Sequence, residues 1–70
     1  MWTVVFHCYW PAPEEHVRRY PTKQRAMLAA QSYVLGASPR QEAWADIRNR
    51  TNERKMHYFV SEGRLNYVDY

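Results

Sequence analysis

Three histidines and one cysteine hold the most obvious chemistry of this chain: His7, Cys8, His16 and His57. Zinc sites usually draw on close pairs such as C-x2-C or H-x3-H, which reach one ion from a single turn. His7 and Cys8 are adjacent instead, inside the alternating stretch WTVVFHCYW, and strand neighbours point to opposite faces. No metal and no cofactor is therefore expected. A Cys8 nucleophile would need a histidine in reach and some exposure. Cys8 shares its parity with Trp2, Val4, Phe6 and Trp10, the apparent core side, where a thiol is a small inert hydrophobe. His7 and His57 fall on faces away from that core. Beside arginines, such a pair could cleave RNA by general acid–base chemistry. The two glycines, Gly36 and Gly63, stand far apart, so no phosphate-cradling loop is present.

Binding is the other chemistry to weigh. The net charge is +3, and Arg48, Arg50, Arg54 and Lys55 cluster against Glu53 alone. Basic residues beside aromatic ones suit a single-stranded nucleic acid, charge for phosphate and rings for bases. The aromatic signature of the RRM sheet, basic-Gly-aromatic-Gly-aromatic, is absent. A helix-turn-helix centred on Gly36 fails on packing, because it would bury Glu42 and present a mixed surface of Arg40, Glu42, Asp46 and Arg48.

The elements that must position these residues can be read from pattern. Residues 2–10 alternate and are β-branched or aromatic, which predicts a strand ended by Pro11-Ala12-Pro13. Residues 14–20 fit either a short helix after Pro13 or a returning strand over 16–20 with PAPEE as its loop. The strand is preferred, because Pro21 disfavours helix at Tyr20 and Thr22 is a good N-cap for a helix starting at Lys23. Lys23–Leu35 reads as that helix, with Ala26, Met27, Ala30, Tyr33 and Val34 on one stripe and Gly36 as its stop. Ser38-Pro39-Arg40-Gln41 resembles a second helix start, with a Ser N-cap, Pro at the first position and Gln in the capping-box place. This second helix would bury Ala43, Trp44 and Ile47 and dissolve around residues 49–52. The stretches 56–61 and 64–70, joined by Glu62-Gly63, predict a tight hairpin. Its register pairs Val60 with Leu65, Tyr58 with Tyr67 and Met56 with Asp69.

The expected fold is thus one α+β domain over residues 1–70, an antiparallel sheet in the order β-β-α-α-β-β with two helices on one face. At 70 residues such a domain buries only about 60% of its unfolded surface. One cysteine cannot form an internal disulfide. Eleven aromatic residues (three Trp, six Tyr, two Phe) supply large buried areas instead. No signal-peptide pattern and no apolar run of membrane-spanning length is present, so a cytoplasmic chain without a membrane partner is expected. The second sheet face, with Val5, His7 and Tyr9 beside His57, Phe59, Val68 and Tyr70, is too apolar to stand open to water. Either something covers it, such as Pro11–Tyr20 or a second copy of the chain in a homodimer, or it is a partner-binding patch.

The leading functional expectation is a small non-enzymatic interaction protein that docks on a larger machine and inhibits or modulates it. Chains of this size and type are frequent among phages and mobile elements acting on host or defence machinery. The expected contact residues are His7, Tyr9, Arg48, Arg50, Arg54, Lys55, His57, Phe59, Arg64 and Tyr70. The alternative is a nucleic-acid-binding module on the same basic and aromatic surface. Third stands a small His-dependent ribonuclease of toxin type.

Overall fold

A computed structural model describes residues 1–70. Its elements run β1 (Trp2–Cys8), β2 (Glu14–Tyr20), α1 (Lys23–Gly36), a 3₁₀ turn (Pro39–Gln41), β3 (Trp44–Arg48), β4 (Arg54–Ser61) and β5 (Arg64–Asp69). The five strands form one sheet in the order β2-β1-β3-β4-β5, and every neighbouring pair is antiparallel. Two hairpins therefore flank β3, the central strand, and both edges of the sheet are hairpin strands.

Alternation decides which side of each strand meets α1. Val4, Phe6 and Cys8 of β1, Ala45 and Ile47 of β3, and Met56 and Tyr58 of β4 are all buried. Ala26, Ala30 and Val34 face them from α1. Both alanines are fully buried, and their short side chains let the helix lie close on the sheet. Each fully buried Val or Ile here contributes about 1.5–3 kcal/mol. The Tyr58 hydroxyl, deep in this layer, accepts a hydrogen bond from Gln31 Nε2 at 3.1 Å. Phe6 and Tyr33 meet with ring centroids 4.9 Å apart. Burial and a hydrogen bond with Cys8 push the Tyr33 phenol up to about 12.

Local signals end the elements. The Thr22 hydroxyl accepts from the Arg25 amide at 3.2 Å, capping α1. Glu62 and Gly63 both take positive φ, 53° and 75°, the geometry of a type I′ hairpin turn. The resulting register is the one the loop length implies, with Tyr58 opposite Tyr67 and Phe59 opposite Asn66.

Five sequence expectations are corrected. The second helix does not form, and the order is β-β-α-β-β-β with one helix. The start signal is real: the Ser38 amide donates to Gln41 Oε1 at 2.8 Å. It closes only one 3₁₀ turn, because Glu42 adopts a left-handed conformation (φ 47°, ψ 51°) and the chain then pairs between β1 and β4. Ile47 is buried as expected, but from a strand, and Trp44 points to the opposite side of the sheet. β1 stops at Cys8, leaving Trp10 about half exposed rather than in the core. β2 starts at Glu14, so the loop between the first two strands is Tyr9–Pro13 and lies two residues earlier than PAPEE. Gly36 is the last helical residue, and the cap is Ala37 in extended conformation.

Candidate functional site

Nothing in the chain covers the side of the sheet opposite α1. The register stacks its side chains in rows that run across the strands. One row joins Glu15, His7, Trp44, Phe59 and Asn66, and the next joins Val17, Val5, Asp46, His57 and Val68. At the Trp44 row the rings touch one another. His7 stacks on Trp44 with centroids 4.6 Å apart and planes 17° from parallel. His57 lies 5.3 Å from Trp44 and 5.7 Å from Phe59. Tyr9 adds an edge contact to His7 at 5.6 Å. These contacts make a continuous aromatic platform spanning β1, β3 and β4.

Beside the platform sits a buried acid. Asp46 is only 3% exposed although its face is uncovered. His57 Nδ1 lies 2.6 Å from its Oδ1. A carboxylate can only accept, so Nδ1 carries the hydrogen, and in the neutral ring Nε2 keeps its lone pair. Arg48 Nη2 lies 3.8 Å from Asp46 Oδ2, and Arg54 Nη1 lies 3.9 Å from Oδ1. Both separations exceed hydrogen-bonding range, so each guanidinium meets the acid as a loose ion pair and keeps part of its surface in solvent. Two arginines against one carboxylate leave this corner of the face positive even when His57 is neutral.

The β3–β4 loop holds the arginines in place. Asn49 Oδ1 accepts from the Thr51 amide, the Thr51 hydroxyl and the Glu53 amide, the short-range bonding that makes Asn a turn residue. Arg48 Nη1 donates to the Asn52 carbonyl at 3.2 Å. Thr51 Oγ1 lies equally close, 2.9 Å, to Glu53 Oε1, so its single proton is shared between the two acceptors. That contact, together with Lys55 and Asn49, holds the Glu53 carboxyl below the usual range. Lys55 is engaged with Glu53 at 3.7 Å. Arg54 also lies over the Tyr70 ring, 4.5 Å from its centroid, a cation–π geometry.

The expected contact residues are therefore brought together in part. His7, His57 and Phe59 form the platform, with Tyr9 at its margin. Arg48, Arg54 and Tyr70 adjoin it at the Asp46 corner, while Lys55 lies beside the exposed loop acid Glu53. Arg50 lies exposed in the loop, and Arg64 sits at the hairpin end of the sheet, at the far end of β4 from Arg54. Of the other chemistry-bearing residues, Cys8 is buried on the helix side. His16 lines a groove between β2 and α1, with Phe6, Arg18, Tyr20, Ala29 and Tyr33.

Trp44 and Asp46 are the two members of the site that sequence reasoning missed, since both were placed on a helix. The signal that could have found them is the alternation of Ala43, Ala45 and Ile47 with Trp44, Asp46 and Arg48. No helix is long and apolar enough to cross a membrane. No family model, no curated protein and no solved structure matches this chain.

Proposed function

We propose that this chain is a binding module for single-stranded nucleic acid, and that the uncovered sheet face is its working surface. The observation that carries the reading is the platform of His7, Trp44, His57 and Phe59 beside the partly exposed guanidiniums of Arg48 and Arg54. Rings on a sheet offer stacking surfaces to successive bases, and each stacked base contributes about 1–3 kcal/mol. The adjoining arginines suit the phosphates, and the one acid among them is already screened by three cationic or imidazole groups. A cytoplasmic location belongs to the same proposal, as does the absence of a membrane partner.

Fluorescence anisotropy with labelled single-stranded RNA and DNA tests it. Affinity should fall with salt, with a slope of about −0.7 per phosphate contact on a single strand. Trp44→Ala should weaken binding about tenfold or more, one lost stacking contact. Absence of binding to either strand at low salt would refute the reading.

A second reading keeps the chain as a non-enzymatic protein that docks on a larger protein assembly and inhibits it. Leu28 and Leu35, two turns apart on α1 and both more than half exposed, favour it. Leu28→Glu with Leu35→Glu would abolish that docking and leave nucleic-acid binding intact, so the two readings separate cleanly.

A further inference from the structure

We infer that the Asp46–His57 pair makes the sheet face a ribonuclease site, with His57 as general base and single-stranded RNA as the substrate. This rests on the nucleic-acid reading and adds a reaction to it. A carboxylate that fixes an imidazole through Nδ1 leaves Nε2 as a positioned, unbonded base. The same arrangement orients the base in hydrolases that use a His–carboxylate pair. Here the bond is 2.6 Å long and the carboxylate is buried, while the His57 side chain keeps 23% of its surface in solvent.

Three features place a phosphodiester next to that base. Arg48, Arg54 and His57 all approach the same carboxylate, within 3.9 Å of its oxygens. Their outer sides therefore border one spot on the face. Arg48 is 30% exposed and Arg54 is 45% exposed, so both can turn donors outward. Trp44 and Phe59, both in ring contact with His57, offer surfaces for the bases flanking that phosphate. A structural ion pair would need none of this exposed, aromatic surrounding.

The step balances within RNA itself. His57 Nε2 takes the proton of a 2′-hydroxyl, and the oxygen attacks the adjacent phosphorus. The new P–O2′ bond forms as the P–O5′ bond breaks, and the arginines face the charge that builds on the phosphorane oxygens. The 5′-oxygen leaves with the bonding pair and takes a proton from water, and His57 returns its own to solvent. The products are a 2′,3′-cyclic phosphate and a 5′-hydroxyl end. DNA lacks the attacking group and is bound without being cut. His57 is the catalytic residue. Asp46, which acts through it, is a positioning residue.

The experiment uses the full chain with an end-labelled single-stranded RNA and the all-deoxy strand of the same sequence. Anisotropy reads binding, and denaturing gels with cyclic-phosphate detection read cleavage. The expected result is that both strands bind and only RNA is cut. His57→Gln should lower the rate by about 10²-fold or more, the usual contribution of a general base, with a far smaller effect on affinity. Added imidazole should restore cleavage to His57→Ala. Asp46→Asn should lower kcat with KM nearly unchanged, whereas a merely structural role would show as lost stability at full activity of the folded fraction. RNA that binds and stays intact would overturn this inference and leave the binding module standing. So would cleavage undiminished in His57→Gln. If neither strand binds, both proposals fall.

Discussion

The coupling between Asp46 and His57 is measurable on the fold alone, before any substrate is found. A double-mutant cycle with Asp46→Ala, His57→Ala and the pair isolates it. The contact is short, 2.6 Å, and one partner is almost wholly removed from water. A hydrogen bond to a charged group of this kind contributes about 1.5–3 kcal/mol. Arg48 and Arg54 stand 3.8 and 3.9 Å from the same carboxylate but are 30% and 45% exposed. Solvent screening holds their share to about 0.2–1 kcal/mol each.

Asp46→Ala should therefore cost about 2–5 kcal/mol. His57→Ala should cost about 2–3 kcal/mol, since it also leaves the buried carboxylate short of its best donor. The interaction energy of the cycle should be about 1.5–3 kcal/mol. A domain of this size has a net stability of about 3.5–10 kcal/mol at the usual 0.05–0.15 per residue, which the Asp46→Ala cost can exhaust at its lower end. Urea unfolding followed by tryptophan fluorescence gives each value, with the m-value unchanged if the transition stays two-state. An interaction energy below about 0.5 kcal/mol would place the pair among ordinary surface contacts. His57 would then be an ordinary exposed histidine, with no carboxylate holding its ring in place.

Three further outcomes test the fold around the site. Ile47→Ala, at a fully buried position on the central strand, should cost about 2–5 kcal/mol; a loss below about 1 kcal/mol in urea unfolding would contradict its core placement. Glu62→Asn should stabilise the β4–β5 turn by about 1 kcal/mol, because Glu62 is a non-glycine residue at φ 53° and Asn tolerates that region; an unchanged urea midpoint would count against strain there. Tyr33, its phenol raised from 10.0 to about 12, keeps its proton in the folded state after the unfolded chain has lost it. Its contribution is full below about pH 10 and is lost as pH rises toward about 12, so Tyr33→Phe should flatten the alkaline fall in stability, and an unaltered slope would refute this.

What the amino-acid order reveals depends on how local each feature is. The β4–β5 register was readable because a two-residue loop with glycine second leaves the pairing little freedom. α1 was readable because its cap and its alanine stripe lie within one segment. The aromatic face was readable in part, since alternation alone sends His7, His57 and Phe59 away from the core. Residues 38–48 were not, because two local signals conflict there. Ser38, Pro39 and Gln41 give a sound helix start, and the alanines after them do not oppose helix. The weaker signal is alternation over Trp44–Arg48, and tertiary pairing with β1 and β4 on both sides decides in its favour.

That one segment also determines whether the site can be seen at all. On a helix, Asp46 would be a solvated acid on an outer face and Trp44 a core residue. Neither would come near a histidine eleven positions after Asp46. As a central strand, the same residues sit opposite His57 and Phe59, and Asp46 becomes the one buried acid on an uncovered face. The chemistry is therefore a property of the β3–β4 pairing rather than of any motif, and this explains why motif reading paired His57 with His7 and left it without its carboxylate. It also gives the cycle between positions 46 and 57 a second use. The two residues can couple only if β3 and β4 are paired in this register, so a coupling of about 1.5–3 kcal/mol tests the central strand and the site in one measurement.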